Sequence, residues 1–325
     1  MVHFMTQLFL SVLLLIVGFV LLVYGADFFV EGCSSIAKAL RVPSIIIGLT
    51  IVALGTSAPE AAVSITASLS GSNGLSVGNC VGSNFFNLLV VLGFCSLFKS
   101  LPVENDTLKR DYPFNLLITV VFLIMSVDTL FGAATNTLSR INGIILFLLY
   151  IVFMIILIRS ALKNRTEADE EIKILPVWKT ILYVVGGAVA IVYGGDLVVD
   201  NATVIAEYFH MSETLIGLTI VALGASLPEL VTSIVASRKG EVDLAIGNVI
   251  GSNIANILVV LGLSATVSPL AVNDMVIIDT VILLVVSLIV YASCYRGKSI
   301  NRKEGIIMLL MYVAYMIYIF IRNFA

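Results

Sequence analysis

Apolar residues in this chain fall into runs of about twenty, the length a helix needs to cross a bilayer. Ten segments meet it: 7–30, 43–69, 76–99, 113–132, 139–162, 177–200, 212–237, 243–268, 273–294 and 304–323. Spans two, three, seven and eight are diluted by Gly, Ser, Asn and Pro, so hydropathy alone underscores them. The one notably hydrophilic stretch, Lys163 to Lys173, is short and mixed in charge, and it reads as a solvated linker. The pattern predicts an all-α membrane protein with no room for a large soluble domain.

The diluted spans are also the repeated ones. Gly48 to Glu60 reads GLTIVALGTSAPE, and Gly217 to Glu229 reads GLTIVALGASLPE, identical at 11 of 13 positions. Gly78 to Gly93 (GNCVGSNFFNLLVVLG) and Gly247 to Gly262 (GNVIGSNIANILVVLG) agree at 11 of 16. Both pairs lie 169 residues apart, as do Tyr24-Gly25-x-Asp27 and Tyr193-Gly194-x-Asp196. The chain is a duplicated unit with five spans per copy: a first half over 1–162 holding one repeat at 43–99, a linker at 163–176, and a second half over 177–325 holding the other at 212–268.

An odd number of spans per copy turns the second copy upside down in the membrane. Loop charge agrees, since cytoplasmic loops carry the excess of Lys and Arg. With the N-terminus outside, 16 of the 18 basic residues fall in inward loops, and only Arg140 and Arg322 fall outside. Lys38 and Arg41 stand where the second copy has Glu207 and His210, whereas Leu69 and Ser70 stand opposite Arg238 and Lys239. The cores match while the loop charges change sides. A multi-pass protein of the cell's inner (plasma) membrane, with both termini extracytoplasmic, is expected.

Composition excludes the soluble classes: 59% hydrophobic and 12% charged residues, with mean hydropathy +1.09, against roughly 45–50% and 25% in soluble domains. The net charge of −3 adds little. Cys33, Cys80, Cys95 and Cys294 lack metal-ligand or disulfide spacing and read as small hydrophobes. The first apolar segment lacks a basic leader and a small-residue cleavage site, so a retained helix is expected.

Within this apolar setting each copy carries one glutamate, at a cost of several kcal/mol that is rarely met without a task. Gly55-Thr56-Ser57-Ala58-Pro59-Glu60 and Gly224-Ala225-Ser226-Leu227-Pro228-Glu229 each interrupt a helix, because proline removes an N–H and crowds the preceding turn. Opened backbone at that depth is tolerated where it lines a polar cavity. Serine hydroxyls, freed carbonyls and one carboxylate per half give an all-oxygen donor set suited to hard cations such as Ca²⁺, Na⁺ or Mg²⁺. The only histidines are His3 and His210. In spans three and eight, Ser83 with Asn87 and Ser252 with Asn256 share a helix face at i, i+4, while Asn84 and Asn253 point elsewhere, toward backbone nearby. Gly78, Gly82, Gly247 and Gly251 are small-xxx-small pairs for close packing. Interrupted helices at matching positions of inverted halves point to a secondary transporter's site. Two carboxylates balance one divalent or two monovalent cations.

GTSAPE with GNCVGSNFFN, and GASLPE with GNVIGSNIAN, resemble the two α-repeats of the sodium/calcium exchanger family within the cation/Ca²⁺ exchanger superfamily. The likeness extends to the ten-span layout, and the chain is similar to compact prokaryotic members. The resemblance implies coupled Ca²⁺ and Na⁺ antiport by alternating access. It implies Glu60 and Glu229 as Ca²⁺ ligands, carbonyls from Thr56 and Ala225, the motif serines Ser57 and Ser226, carbonyls of Ala53 and Ala222 toward Na⁺, and Ser83, Asn87, Ser252 and Asn256 from the second helices. Some relatives, potassium-dependent ones included, carry aspartate where this chain has Asn256, so K⁺ co-transport is not expected. H⁺-coupled Ca²⁺ exchange is the alternative.

Plainer readings stand beside these. Asp27 and Asp196 read as interfacial residues or caps near the ends of spans one and six, and Asp128, Asp200 and Asp279 as interfacial. Thr66, Thr232 and Ser233 read as ordinary helix-face residues. An intramembrane hydrolase built on Ser57 or Ser226 lacks a His or Lys base in the membrane, so no enzyme is expected. A channel would ordinarily place its filter on an oligomer axis, whereas the pseudo-symmetry here is internal. No cofactor and no nucleic-acid partner are expected; Ca²⁺ and Na⁺ are cargo, the bilayer is the solvent, and a monomer suffices.

Overall fold

The computed structural model describes residues 2–71, 73–132, 135–163, 174–209 and 222–324. The linker expected around 164–173 and the first part of the span expected at 212–237 lie outside the described residues.

Almost everything described is helix. In chain order these are α1 (Val2–Leu40), α2 (Ser44–Thr56 and Ala58–Leu69), α3 (Gly74–Phe98), α4 (Tyr112–Met125), α5 (Arg140–Lys163), α6 (Val177–Tyr208), α7 (Leu227–Lys239, preceded by Ala222–Gly224), α8 (Val242–Val267), α9 (Asp274–Gly297) and α10 (Arg302–Phe324). Seven of them are long and apolar enough to cross a membrane, and the bent α2 makes eight. Widened π-turns occupy Gly48–Val52, Phe86–Val91, Thr107–Asp111 and Asn256–Leu261.

α3 and α8 form the centre and α1 and α6 an outer antiparallel pair. The α2–α8 crossing is backbone-close: a Cβ on Gly48 would stand 2.6 Å from the Leu244 carbonyl, and one on Gly247 2.6 Å from that of Ile45. α1 and α6 cross in the same manner, Gly18 against Gly194 and Gly25 against Gly187, with each added Cβ 2.8–3.1 Å from the other residue's carbonyl oxygen. Outside the bundle, two short antiparallel ladders link β1 (Leu101–Pro102) to β4 (Ser299–Ile300) and β2 (Thr137–Leu138) to β3 (Leu270–Ala271).

α1 and α6 run well past the spans expected at 7–30 and 177–200. Asp27 and Asp196 therefore sit inside helices, not near their ends as caps. In α1 the acids Asp27 and Glu31 face a cationic partner, Lys239. Asp279 also departs from a solvent-facing interfacial residue: it is 7% exposed and takes a paired interaction from Arg322, at 2.8 and 3.1 Å.

Candidate functional site

The two proline motifs restart helices. α2 bends by 50° at Ser57, whose φ/ψ of −80°/9° leaves the helical basin, and Ser226 at −93°/7° does the same before α7. Pro59 and Pro228 fall in the opening turn of the new helix, where a missing N–H costs nothing. Glu60 and Glu229 follow in that same turn, toward the positive end of the helix dipole.

Ser-x-Pro-Glu has the spacing of a capping box, in which the serine would accept from its own helix's third N–H. Neither serine makes that bond. Each instead reaches across to the other half: Ser57 donates to Glu229 Oε1 at 3.0 Å, and Ser226 Oγ lies 3.0 Å from Glu60 Oε1. Ser83 adds a contact to Glu60 at 3.3 Å and lies 3.1 Å from Ser226. Each carboxylate is thus held by a hydroxyl of the opposite half.

Both glutamates are fully buried, and so are Asn87, Ser252 and Asn256. Glu60 Oε2, Glu229 Oε2, Asn256 Oδ1 and both polar atoms of Asn87 have no hydrogen-bond partner among the described residues. Buried polar atoms are ordinarily paired, so these oxygens are the ones a cation could engage. Every acceptor in it is oxygen and only two carboxylates converge; among the described residues no three of His, Cys, Asp and Glu gather to hold a metal. That donor set fits a hard, transiently held cation and not a tightly fixed transition metal.

The remaining expected residues divide. Asn256 donates to Ser83 at 3.1 Å and to Asn84 Oδ1 at 3.0 Å, which joins α8 to the first-half acid. Asn84 and Asn253 donate to each other's backbone carbonyl, at 3.3 and 3.4 Å, a reciprocal cross between the halves. The Ala53 carbonyl already accepts from the Ser57 N–H at 3.0 Å. Thr56 Oγ1 lies 3.1 Å from the Val52 carbonyl and 3.0 Å from Asn248 Oδ1, contacts that Ala225, its counterpart, has no hydroxyl to make. Of Ala222 only the backbone is described, opening the short helix before the second break.

Four residues escaped the sequence reading. Asn79 donates to Ser64 at 3.0 Å and to the Glu60 carbonyl at 3.4 Å; Asn248 donates to Ser233 at 2.9 Å and to the Glu229 carbonyl at 3.5 Å. Each tethers the restarted helix to the helix that follows it, so Ser233 is not an ordinary face residue. Thr232 is fully buried as well. The signal was available, because Asn79/Asn248 and Ser64/Ser233 keep the 169-residue offset.

A cleft lies beside the two breaks. It has a volume of about 110 Å³ and runs between α6 and the breaks, past Asp196, Asp200, Ala225, Pro59 and Pro228. The two prolines are the immediate neighbours of the glutamates. The glutamates themselves are fully buried, as are Thr56 and Asn248.

Known proteins carry the same plan. The sodium/calcium exchanger protein family matches residues 10–159 and 179–321. A putative antiporter, CaxA, of Alkalimonas amylolytica is 39% identical over 321 residues, 95% of this chain and 98% of that protein. The sodium/calcium exchanger MaX1 of Methanosarcina acetivorans is 34% identical, covering 95% and 98%. Among solved structures, the sodium-calcium exchanger NCX_Mj soaked with 10 mM Na⁺ and zero Ca²⁺ superposes with a TM-score of 0.83 at 30% identity, over 94% of this chain and 98% of that one. With its buried two-glutamate centre and helices built for the bilayer, this chain belongs to the sodium/calcium exchanger family of multi-pass integral membrane proteins.

Proposed function

We propose that this chain is a secondary active antiporter that moves Ca²⁺ against Na⁺ by alternating access. The observation that carries the reading is the pair of fully buried glutamates, each hydrogen-bonded by the other half's serine and each with one oxygen unpartnered among the described residues. Two carboxylate charges at this depth are tolerable only when cations or protons accompany them. Binding of one Ca²⁺ or of Na⁺ ions is therefore coupled to conformational change: the site does not cross empty.

In this reading Glu60 and Glu229 bind Ca²⁺ with the carbonyls of Thr56 and Ala225. Ser57, Ser226, Ser83, Ser252, Asn87 and Asn256 complete the shell, and the carbonyls of Ala53 and Ala222 turn to Na⁺. Ten spans form two inverted five-helix halves, 1–162 and 177–325, joined by a cytoplasmic linker at 163–176, with both termini outside the inner membrane. α1 and α6 slide across the motif helices to expose the site to each face in turn, and the Asp196 cleft is the outward path.

The experiment is ⁴⁵Ca²⁺ uptake into proteoliposomes under an outward Na⁺ gradient, with K⁺-gradient and pH-gradient arms in parallel. Uptake in the Na⁺ arm alone establishes the coupling. Uptake in the pH arm alone keeps the site and makes H⁺ the counter-ion. Glu60→Gln and Glu229→Gln should each abolish transport; normal flux in either removes that residue from the shell.

A further inference from the structure

α1 and α6 are pseudo-symmetric partners, yet among the described residues the charged grip at this stripe is found on α1. The turn after α7 reaches it at four points. Lys239 Nζ lies 2.9 Å from Asp27 Oδ1 and 3.9 Å from Glu31 Oε2, and it donates to the Asp27 backbone carbonyl at 2.8 Å. Two residues on, the Glu241 carboxylate accepts from the Ser34 hydroxyl and lies 3.6 Å from Lys38 Nζ. Asp27, Glu31, Ser34 and Lys38 are spaced four, three and four, so they form one stripe along α1. Gly240, at φ +86°, provides the left-handed turn that lets Lys239 and Glu241 face the same stripe.

The 169-residue offset maps that stripe onto Asp196, Asp200, Thr203 and Glu207 of α6, and it maps Lys239 onto Ser70. The acids recur, but the lysine does not. Asp196 and Asp200 line the cleft, and the Thr203 hydroxyl is buried with no hydrogen-bond partner among the described residues. One end of the outer helix pair is therefore bolted and the other is open.

We propose that the Lys239–Glu241 turn is a one-sided latch, which holds α1 in place and biases the protein toward the conformation open at the Asp196 cleft. The inference rests on the alternating-access reading above. In the opposite conformation the halves exchange environments, so Asp27 and Glu31 come to line a cleft and Lys239 must let go. Nothing at Ser70 makes the compensating bond on the other side. The bias is thus written into the sequence as a lysine in one copy and a serine in the other. A transporter so built rests facing one way, and bound cargo has to supply the work of releasing the latch.

The test labels the full-length protein, in liposomes of known orientation, with a membrane-impermeant maleimide. The four native cysteines are replaced, and one cysteine is introduced as Val199→Cys in the cleft or Val30→Cys at its buried counterpart. Adding Lys239→Gln should slow labelling of the first site from the cleft side by about threefold, and speed labelling of the second from the other side by a similar factor, the size expected for a small network of half-exposed ion pairs. Ser70→Lys, which places a cation opposite Asp196 and Asp200, should shift both rates the same way as Lys239→Gln, and Lys239→Arg should leave them unchanged. Unaltered rates in both Lys239→Gln and Ser70→Lys would overturn the latch; Ser70→Lys decides the matter alone if Lys239→Gln does not fold. The labelling involves no Ca²⁺ transport, so a wrong cargo assignment shows up in the uptake assay and leaves this result standing.

Discussion

Two helix pairs relate the halves of this protein, and they are bonded differently. The most apolar windows of α3 and α8 are 78% and 94% buried, whereas those of α1 and α6 are only 22% and 28% buried. The inner pair is joined by directed polar bonds, the Asn84–Asn253 cross and the Asn256 bridge to Ser83 and Asn84. The outer pair meets through glycine backbones, with a single hydroxyl contact, Ser35 to Thr180 at 3.3 Å, between the two helices near one end. Hydrogen bonds fix register, because a shift of an ångström breaks them. Smooth backbone contact resists separation far more than it resists sliding. In the proposed mechanism the inner pair is the frame around the ions, and the glycine-packed outer pair is the rail that slides across it.

The comparison can be broken most severely at the rail. Gly194→Leu puts a side chain where even a Cβ would stand 2.8 Å from the Gly18 carbonyl. Overpacking of this kind costs about 1–3 kcal/mol, and Ca²⁺ flux should fall more than tenfold while Ca²⁺-dependent thermal stabilisation of the protein survives. Loss of both together would mean that α6 belongs to the frame. A smaller effect is expected at the frame itself. Asn253→Ala removes a donor and strands the Asn84 carbonyl, and it should lower unfolding stability by about 1 kcal/mol in detergent titrations, the scale of interhelical hydrogen bonds in membranes. The flux per folded molecule should fall with it, since the register of Ser83 relaxes.

The smallest effect sits at the rim, in the loop after α3. Glu104 is held above the ordinary carboxylate range by burial and then by Asp243, Asp106 and Asp111, with Arg110 opposing. A carboxyl whose folded value is raised contributes stability while protonated, and loses it as pH climbs through that raised value. Glu104→Gln should therefore stabilise the protein at pH 8 by only a few tenths of a kcal/mol, since the group is exposed to solvent. The gain should vanish near pH 4; a melting series in which it persisted there would point to packing and not charge.

Much of this was legible from one chain. The 169-residue repeat isolates Glu60, Glu229 and their serines, because a charge kept twice inside apolar sequence has few explanations. Less legible was how Ser57 and Ser226 are used: the local pattern spells a capping box, and only the approach of the other half redirects each hydroxyl. Asn79 and Asn248 lie off the i, i+4 face of Ser83, Asn87, Ser252 and Asn256, although the 169-residue offset marks them equally well. The true length of α1 was invisible for another reason. Hydropathy falls at Asp27 and Glu31, and their partner, Lys239, lies two hundred residues downstream. The π-turns at Phe86–Val91 and Asn256–Leu261 have no composition of their own.

The two small ladders have a consequence for how the molecule is made. Leu101 pairs with Ile300 and Leu138 with Leu270, so each ladder joins a segment from the first half to one from the second. A ribosome delivers these partners far apart in time, and the early strands wait unpaired at the membrane edge until the late ones emerge. The first half cannot reach its final form during its own synthesis. Neither ladder can close before its second-half partner, Leu270 or Ile300, has been made, so a chain cut before Ser299 keeps Leu101 without its ladder.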